Sequence, residues 1–390
     1  MILQEHQKRL IAGLLTLLIV MGLSRFAYTA IYPVMQSELG FTDQFAGFLA
    51  SVNYAGYLLG SMFAGYYAWS GDRSIALKKI LLINVLSIIL MGATGFIWVW
   101  YVLRFLAGFT GGAAFVLISS ITMDYLAAKD KGHLAGFFYM GVGTGIFLGG
   151  ISVPFLSKSF GWQGTWYGVG LLAFLLSLAV FKWVEDEKFE IKIPDLPLSE
   201  RNQRQISLPW LVVSYTSEGI GYIISATFLV AIVGNLPGLT DLSASFSWAF
   251  VGLAGAPSCI LWMMLAGRFG RIRMLRLAFI IQIVGVAMPV IMPNNIGAFV
   301  GALLFGGTFM GITTLTISTA KILFPENSSR IIGQLTLFYA LGQIIGPIIA
   351  GYLITSTGNY NSSLIFACIV LMVGVISLTI GTRRTKASTP

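Results

Sequence analysis

Arg25 and Glu218 are the side chains of this chain best placed to do chemistry, because each stands near the middle of a long apolar stretch. A charge at such a depth is expensive, and where one occurs it faces a cavity or a partner. A guanidinium offers rigid, paired N–H donors that grip a carboxylate or a phosphate two bonds at a time. A carboxyl group shut away from water takes up a proton more readily than an exposed one. The two residues therefore predict an anion-binding group at Arg25 and a proton-coupling group at Glu218. If they touch, an arriving anion takes Arg25 and frees Glu218 to accept a proton. The alternative is a fixed Arg25–Glu218 pair that closes one end of a cavity. Asp124 is a second candidate for proton coupling. With Lys321 it lies near the end of a stretch, where charges reach the interface at small cost. Tyr28, Asn53, Tyr54, Tyr222, Tyr339 and Gln343 are candidate substrate contacts, although amides and hydroxyls at this depth more commonly bind neighbouring helices.

Other chemistries find no support. Cys259 and Cys368 lie inside apolar stretches, and His6 and His133 stand alone, so neither a disulfide framework nor a metal site is expected. The run Gly141-Val-Gly143-Thr-Gly145 is glycine-rich, but no strand precedes it, so it is not read as a dinucleotide loop. There is no Gly-x4-Gly-Lys-Ser/Thr loop and no nucleophile–base pair. The chain is not expected to be an enzyme or to hold a cofactor. Uphill work would draw on an ion gradient or a partner.

The elements that must position these residues follow from composition. The chain has 390 residues, 56% apolar and only 10% charged, against roughly 25% charged in a soluble domain. Apolar stretches occur at roughly 10–33, 45–69, 76–96, 98–125, 133–156, 162–183, 209–233, 243–266, 274–293, 296–323, 331–355 and 362–381. A helix needs about 20 such residues to cross the hydrocarbon of a bilayer. The prediction is an all-α membrane protein of twelve transmembrane helices, with the lipid bilayer as solvent. The opening MILQEHQKRL runs straight into the first stretch and reads as a retained helix rather than a signal peptide.

The net charge of +9 does not point to nucleic acid, because the basic residues sit in short loops. With the N-terminus cytoplasmic, Arg73, Lys78, Lys79, Lys129, Lys131, Arg268, Arg271, Arg273, Arg276 and Arg330 fall on the cytoplasmic side, and Lys158 alone on the other. That asymmetry predicts both termini inside the cell. Residues 184–208 hold six of the 15 acidic residues, the densest acidic stretch of the chain, and read as a cytoplasmic linker between six-helix bundles at 1–183 and 209–390. The two bundles repeat one another. Gly132, Gly141, Gly145 and Gly150 recur 201 residues on as Gly333, Gly342, Gly346 and Gly351. Gly149 and Pro347 belong to the same two segments. These glycines are expected to pack helices closely and let them rock.

At these residues the chain resembles the major facilitator superfamily, whose fifth span often carries Gly-x8-Gly-x3-Gly-Pro-x2-Gly-Gly. Here Ile146 replaces the proline in the first half, and Ala350 replaces a glycine in the second. Arg104-x3-Gly108-x3-Gly112 is similar to the family's fourth span. For Arg104 the resemblance implies help in proton transfer, or a bond to backbone carbonyls. The loop GYYAWSGDRSIALKK keeps only Gly65, Asp72 and Arg73 of the family's Gly-x3-Asp-Arg-x-Gly-Arg, in shifted spacing, which sets the gating salt bridge often found there in question. GLSRFAYTAIYPVM (22–35), LASVNYAGYLLGS (49–61) and EGIGYIISATFLVAI (218–232) resemble the bacterial branch labelled YbfB/YjiJ. The resemblance implies the major facilitator fold and a secondary active carrier in the bacterial inner membrane, working as a monomer by alternating access on a small organic molecule, with anions among the candidates. Protons are the expected coupling ion and export the favoured direction. Import of a nutrient or a metal-chelating metabolite is the alternative. A receptor or scaffold would call for a soluble domain or a signalling tail, and neither is visible.

Overall fold

The computed structural model describes residues 4–66, 72–187, 206–324 and 327–387, and these are nearly all helical. The linker's residues 188–205, and 67–71 of the motif loop, lie outside the described residues. The first rod, α1 (Glu5–Leu39), is α-helical over Glu5–Leu17, winds as a π-helix over Leu18–Phe26, and returns to α-helix over Tyr28–Leu39. Next come α2 (Asp43–Tyr66), α3 (Arg73–Met91) and α4 (Ile97–Ala128). A continuous helix then covers Ala135–Trp183, 49 residues. At 1.5 Å per residue it would run about 74 Å, more than twice a bilayer core. It breaks at Gly161, which adopts φ 63° and ψ −169°, a conformation that only glycine takes easily. The arms are α5 (135–160) and α6 (162–183). The backbone N–H of Trp162 donates to Glu38 of α1 at 3.2 Å, which anchors the start of α6. The remaining rods are α7 (Leu208–Gly234), α8 (Asp241–Phe269), α9 (Arg271–Ile291), α10 (Asn295–Leu323), α11 (Ser328–Thr357) and α12 (Asn361–Ala387). By length and composition alone, ten helices qualify as membrane spans, with Ala135–Trp183 counted once and α2 left out.

The sequence repeat is also a packing repeat. Gly145 of α5 lies so close to α1 that a Cβ there would stand 2.6 Å from the Leu18 carbonyl and 2.7 Å from the Gly22 Cα. Gly342 of α11 meets α7 in the same way, with the Thr216 carbonyl and the Ile220 nitrogen both 2.9 Å from a Cβ. Gly141 and Gly346 add further close contacts to α1 and α7. Gly149 departs from the expectation. Its nearest neighbour is Ala27 at 3.7 Å, ordinary van der Waals distance, so nothing in its surroundings requires glycine. The close approach falls one residue later, where Gly150 meets the backbone of Ala249 on α8.

The first six helices meet the last six along two seams. In one, Gly143 and Gly150 of α5 face Gly252 and Ala249 of α8. In the other, Gly47 of α2 sits against the Pro347 carbonyl of α11, and Gly351 lies near the Asp43 carbonyl. At the end of the bundle away from the termini, the Tyr360 hydroxyl donates to Asp43 at 2.9 Å, and the Gln44 N–H donates to Thr355 at 3.2 Å. At the terminus-bearing end, Arg9 bonds Glu5, Glu185 and Glu187 and lies over the Tyr125 ring at 4.6 Å. Three carboxylates so held by one arginine tie the start of the linker to α1.

Candidate functional site

The π-helical stretch of α1 builds the site. A π turn bonds i to i+5 and is common at functional sites. Two carbonyls at its end are taken by other helices. Arg104 of α4 donates to the Ser24 carbonyl at 3.2 Å, and the Trp248 indole of α8 donates to the Phe26 carbonyl at 3.1 Å. Arg25 lies between them, 4% exposed. Its guanidinium carbon stands 4.4 Å from the Tyr57 ring centroid, 4.6 Å from that of Tyr54 and 5.2 Å from that of Phe26. Arg104, 1% exposed, lies over Tyr28 at 4.4 Å. In both arginines Nε and Nη2 are buried and have no hydrogen-bond partner. Those two atoms form the edge of a guanidinium that presents parallel N–H groups to a carboxylate or phosphate. Among the described residues no carboxylate lies within 4.0 Å of either arginine.

An unpaired guanidinium out of water costs several kcal/mol. Aromatic faces recover part of this through the ring quadrupole, but they supply no acceptor for the open edges. The two arginines therefore leave two buried donor edges without an acceptor among the described residues. On α7 Tyr222 receives a hydrogen bond from the Gln343 amide and stacks on Phe309, which in turn meets Phe26 edge-on. Tyr54 bonds Thr227 of α7 at 3.3 Å. Tyr28 donates to the Ala46 carbonyl at 3.1 Å, and Asn53 donates to the Arg104 carbonyl at 2.9 Å. Asn53 thus fastens α2 to α4, the commoner use of a buried amide. Arg104 takes up the carbonyl-binding role raised from the sequence and keeps its other edge open.

Glu218 is not brought to Arg25. It sits one turn from Tyr222 along α7, about 6 Å of axial rise, where α9 approaches. There it accepts a hydrogen bond from Gln282 at 2.9 Å. It is fully buried, and its second oxygen and the Gln282 oxygen are both without a partner. Those two oxygens are the pair that a carboxyl proton would join, closing an acid–amide ring. The fixed Arg25–Glu218 pair is therefore absent.

Asp124 also lies away from the arginines. It accepts from Arg73 at 2.8 Å and from Ser120 at 3.4 Å, at the terminus-bearing end. Arg73 further holds Asp186 of the linker, through Nε at 3.0 Å and Nη2 at 2.8 Å. Asp72 caps α3 through the Ser74 N–H at 2.7 Å, and bonding to Ser74 holds its carboxyl below the usual range. An ion pair thus forms at this loop despite its shifted spacing. The side chain of Asp186 is only 3% exposed, so Arg73→Ala would strand it. The expected loss is about 2–3 kcal/mol, read as a lower melting midpoint, and Arg73→Lys should restore only part of it. An unchanged midpoint would mean that these bonds contribute nothing.

A separate cavity of about 760 Å³ opens at the far end among α1, α5, α7 and α8, bordered by Gln36, Lys158, Asn235 and Asp241. The bonds from Thr29 to the Ala226 carbonyl and from Trp248 to the Phe26 carbonyl hold α1 against α7 and α8 between this cavity and Arg25.

Sequence reading missed Tyr57, Trp248, Phe309 and Gln282. Tyr57 had a signal, since it follows Tyr54 at helical spacing on a face with Asn53. The others are neighbours only through tertiary packing.

Membrane-length helices surrounding a buried polar site define a multi-pass membrane transporter. The chain belongs to the major facilitator superfamily, within the family described as "Uncharacterised MFS-type transporter YbfB", whose model matches residues 17–379. It is 26% identical over 375 residues to the "Uncharacterized MFS-type transporter YcaD" of Salmonella dublin, covering 92% of this chain and 91% of the relative. The Salmonella enteritidis protein of the same name is 25% identical over 375 residues, with 92% and 91% covered. Among solved structures, the nucleoside transporter NupG superposes with TM-score 0.76 at 12% identity, covering 95% of this chain and 99% of that one. A bacterial homologue of the human lysosomal transporter Spinster, inward-facing and unoccupied, gives TM-score 0.74 at 14% identity, with 96% and 97% covered. At such identities the likeness is one of fold.

Proposed function

We propose that this transporter carries a small organic anion across the bacterial inner membrane by alternating access, with Arg25 and Arg104 gripping the anionic group. The observation that carries the reading is the pair of buried, unpartnered Nε/Nη2 edges with no acid beside them. In this reading residues 1–183 and 209–390 rock as two bundles about the glycine seams, and the linker and both termini face the cytoplasm. The carrier works as a monomer. Tyr54 and Tyr222 complete the contacts from the two sides, with Tyr28, Tyr339 and Gln343 supporting them. Flux of a panel of organic anions into proteoliposomes, with neutral amides of the same shape as controls, tests it. Faster flux of the neutral series would sink the anion reading.

Protons are the proposed coupling ion and Glu218 the proposed carrier, acting from its place beside Gln282 rather than by contact with Arg25. Glu218→Gln should keep substrate binding within about twofold while abolishing accumulation driven by a pH gradient. Accumulation at the wild-type level would remove Glu218 from coupling. Export is favoured by the glycine segments, by resemblance. One observation favours import: the far-end cavity carries Lys158, the one basic residue that the charge asymmetry leaves on that side. Flux measured in vesicles of each orientation separates the two.

A further inference from the structure

A ladder of aromatic rings crosses the last six helices and ends at Arg25. Tyr215 and Tyr339 stack with centroids 4.3 Å apart and planes 16° from parallel. Tyr339 and Tyr222 follow at 5.6 Å and 8°, then Tyr222 and Phe309 at 5.9 Å and 8°. Phe309 and Phe305 continue at 5.6 Å and 15°. Phe309 meets Phe26 edge-on at 6.5 Å, and Phe26 is one of the rings around the Arg25 guanidinium. Each of these five rings from α7, α10 and α11 thus lies within 16° of parallel to its neighbour in the ladder. At separations of 5.6–5.9 Å, neighbouring parallel rings must be offset, so each leaves part of its face uncovered by the next. Tyr339 retains exposure, whereas Tyr215, Tyr222, Phe305 and Phe309 are buried.

A core filled for packing alone has no need of such order, since apolar rings pack stably at many angles. Parallel offset faces beside an open cationic edge make a composite receptor. The arginine edges take a charged head, and the ladder takes a flat body laid against Tyr339, the one ring of the five that retains exposure. From this geometry we infer that the substrate is a planar aromatic carboxylate, or a flat conjugated anion of the same shape. The inference rests on the anion reading above and adds the shape and unsaturation of the body. An offset stack is favourable beyond area burial alone. A flat aromatic anion should therefore bind about three- to tenfold more tightly than a saturated one of equal size.

The test is isothermal titration of the purified full chain with 2-naphthoate, its saturated counterpart decahydro-2-naphthoate, and neutral 2-naphthamide. Naphthoate should bind about three- to tenfold more tightly than the decahydro acid, and the amide weakest of all. Tyr339→Leu should erase most of the preference between the two acids, while Tyr339→Phe, which keeps the ring, should preserve it. Equal affinity for the two acids in the wild type overturns the planar substrate and leaves the anion reading standing. Amide binding equal to that of naphthoate, or no binding by any of the three, overturns both. If Tyr339→Leu fails to fold, Tyr339→Phe and the wild-type ratio still decide.

Discussion

Arg25→Met will give a protein that melts higher than the wild type and no longer binds organic anions. The two effects share one cause. The guanidinium is buried with two donors unpartnered, so without its ligand it is a cost to the fold. An apolar chain of similar length among Phe26, Tyr54 and Tyr57 removes that cost and keeps the packing. Replacing buried charges by well-packed apolar groups stabilises proteins by about 1–4 kcal/mol in favourable cases. The melting midpoint should rise by roughly 2–5 °C. Binding should fall at least about 100-fold, because two charge-assisted bonds are lost together. Arg25→Lys keeps the charge but not the two-point edge, and should remain at least about tenfold weaker. Melting curves with and without ligand separate the outcomes. A midpoint several degrees lower in Arg25→Met would mean that the arginine is a structural strut.

The second large effect is expected at Gly145, where valine should destabilise the protein by about 1–3 kcal/mol and abolish flux. The added atoms would press on the Leu18 carbonyl and the Gly22 Cα, which are backbone and cannot swing aside. The helix α1 must move away, and the π-helical stretch that aims Arg25 moves with it. Gly149→Ala, one turn along in the same motif, meets only Ala27 at 3.7 Å and should change neither stability nor flux appreciably. Melting and proteoliposome flux of the two variants side by side make the comparison. Equal tolerance at both positions would mean that α1 and α5 are free to separate.

The helices and the repeat were readable because each is carried by many residues. Stretches of apolar length and four glycines at one offset leave little freedom. Arg25 was legible for a related reason, since a charge in such a stretch has few explanations. Its surroundings were less so. The facing of Glu218 toward Gln282 depends on how α9 packs on α7, and no local pattern encodes that. Gly149 and Gly145 look alike in a motif, and only the distance to α1 separates them. The Arg73–Asp124 pair survived a loop whose spacing had drifted, because an ion pair needs two side chains to meet and not a fixed count between them. Nothing in GLSRF announces a π-helix, which is set by whether outside donors reach the displaced carbonyls.

The π-helical stretch Leu18–Phe26 also bears on how transporters of this kind diversify. A π turn carries close to one residue more than an α turn. A single deletion within it can be absorbed by rewinding to α-helix, and the 35-residue rod stays long enough to cross the bilayer. The segments on either side would stay close to their register, while residues inside the stretch, Arg25 among them, would turn by tens of degrees around the helix axis. One lost codon could thus turn Arg25 away from the aromatic ladder and bring a neighbour to face it. In this fold a change of cargo need not accumulate substitution by substitution; it can arrive as a single shift of frame along one helix.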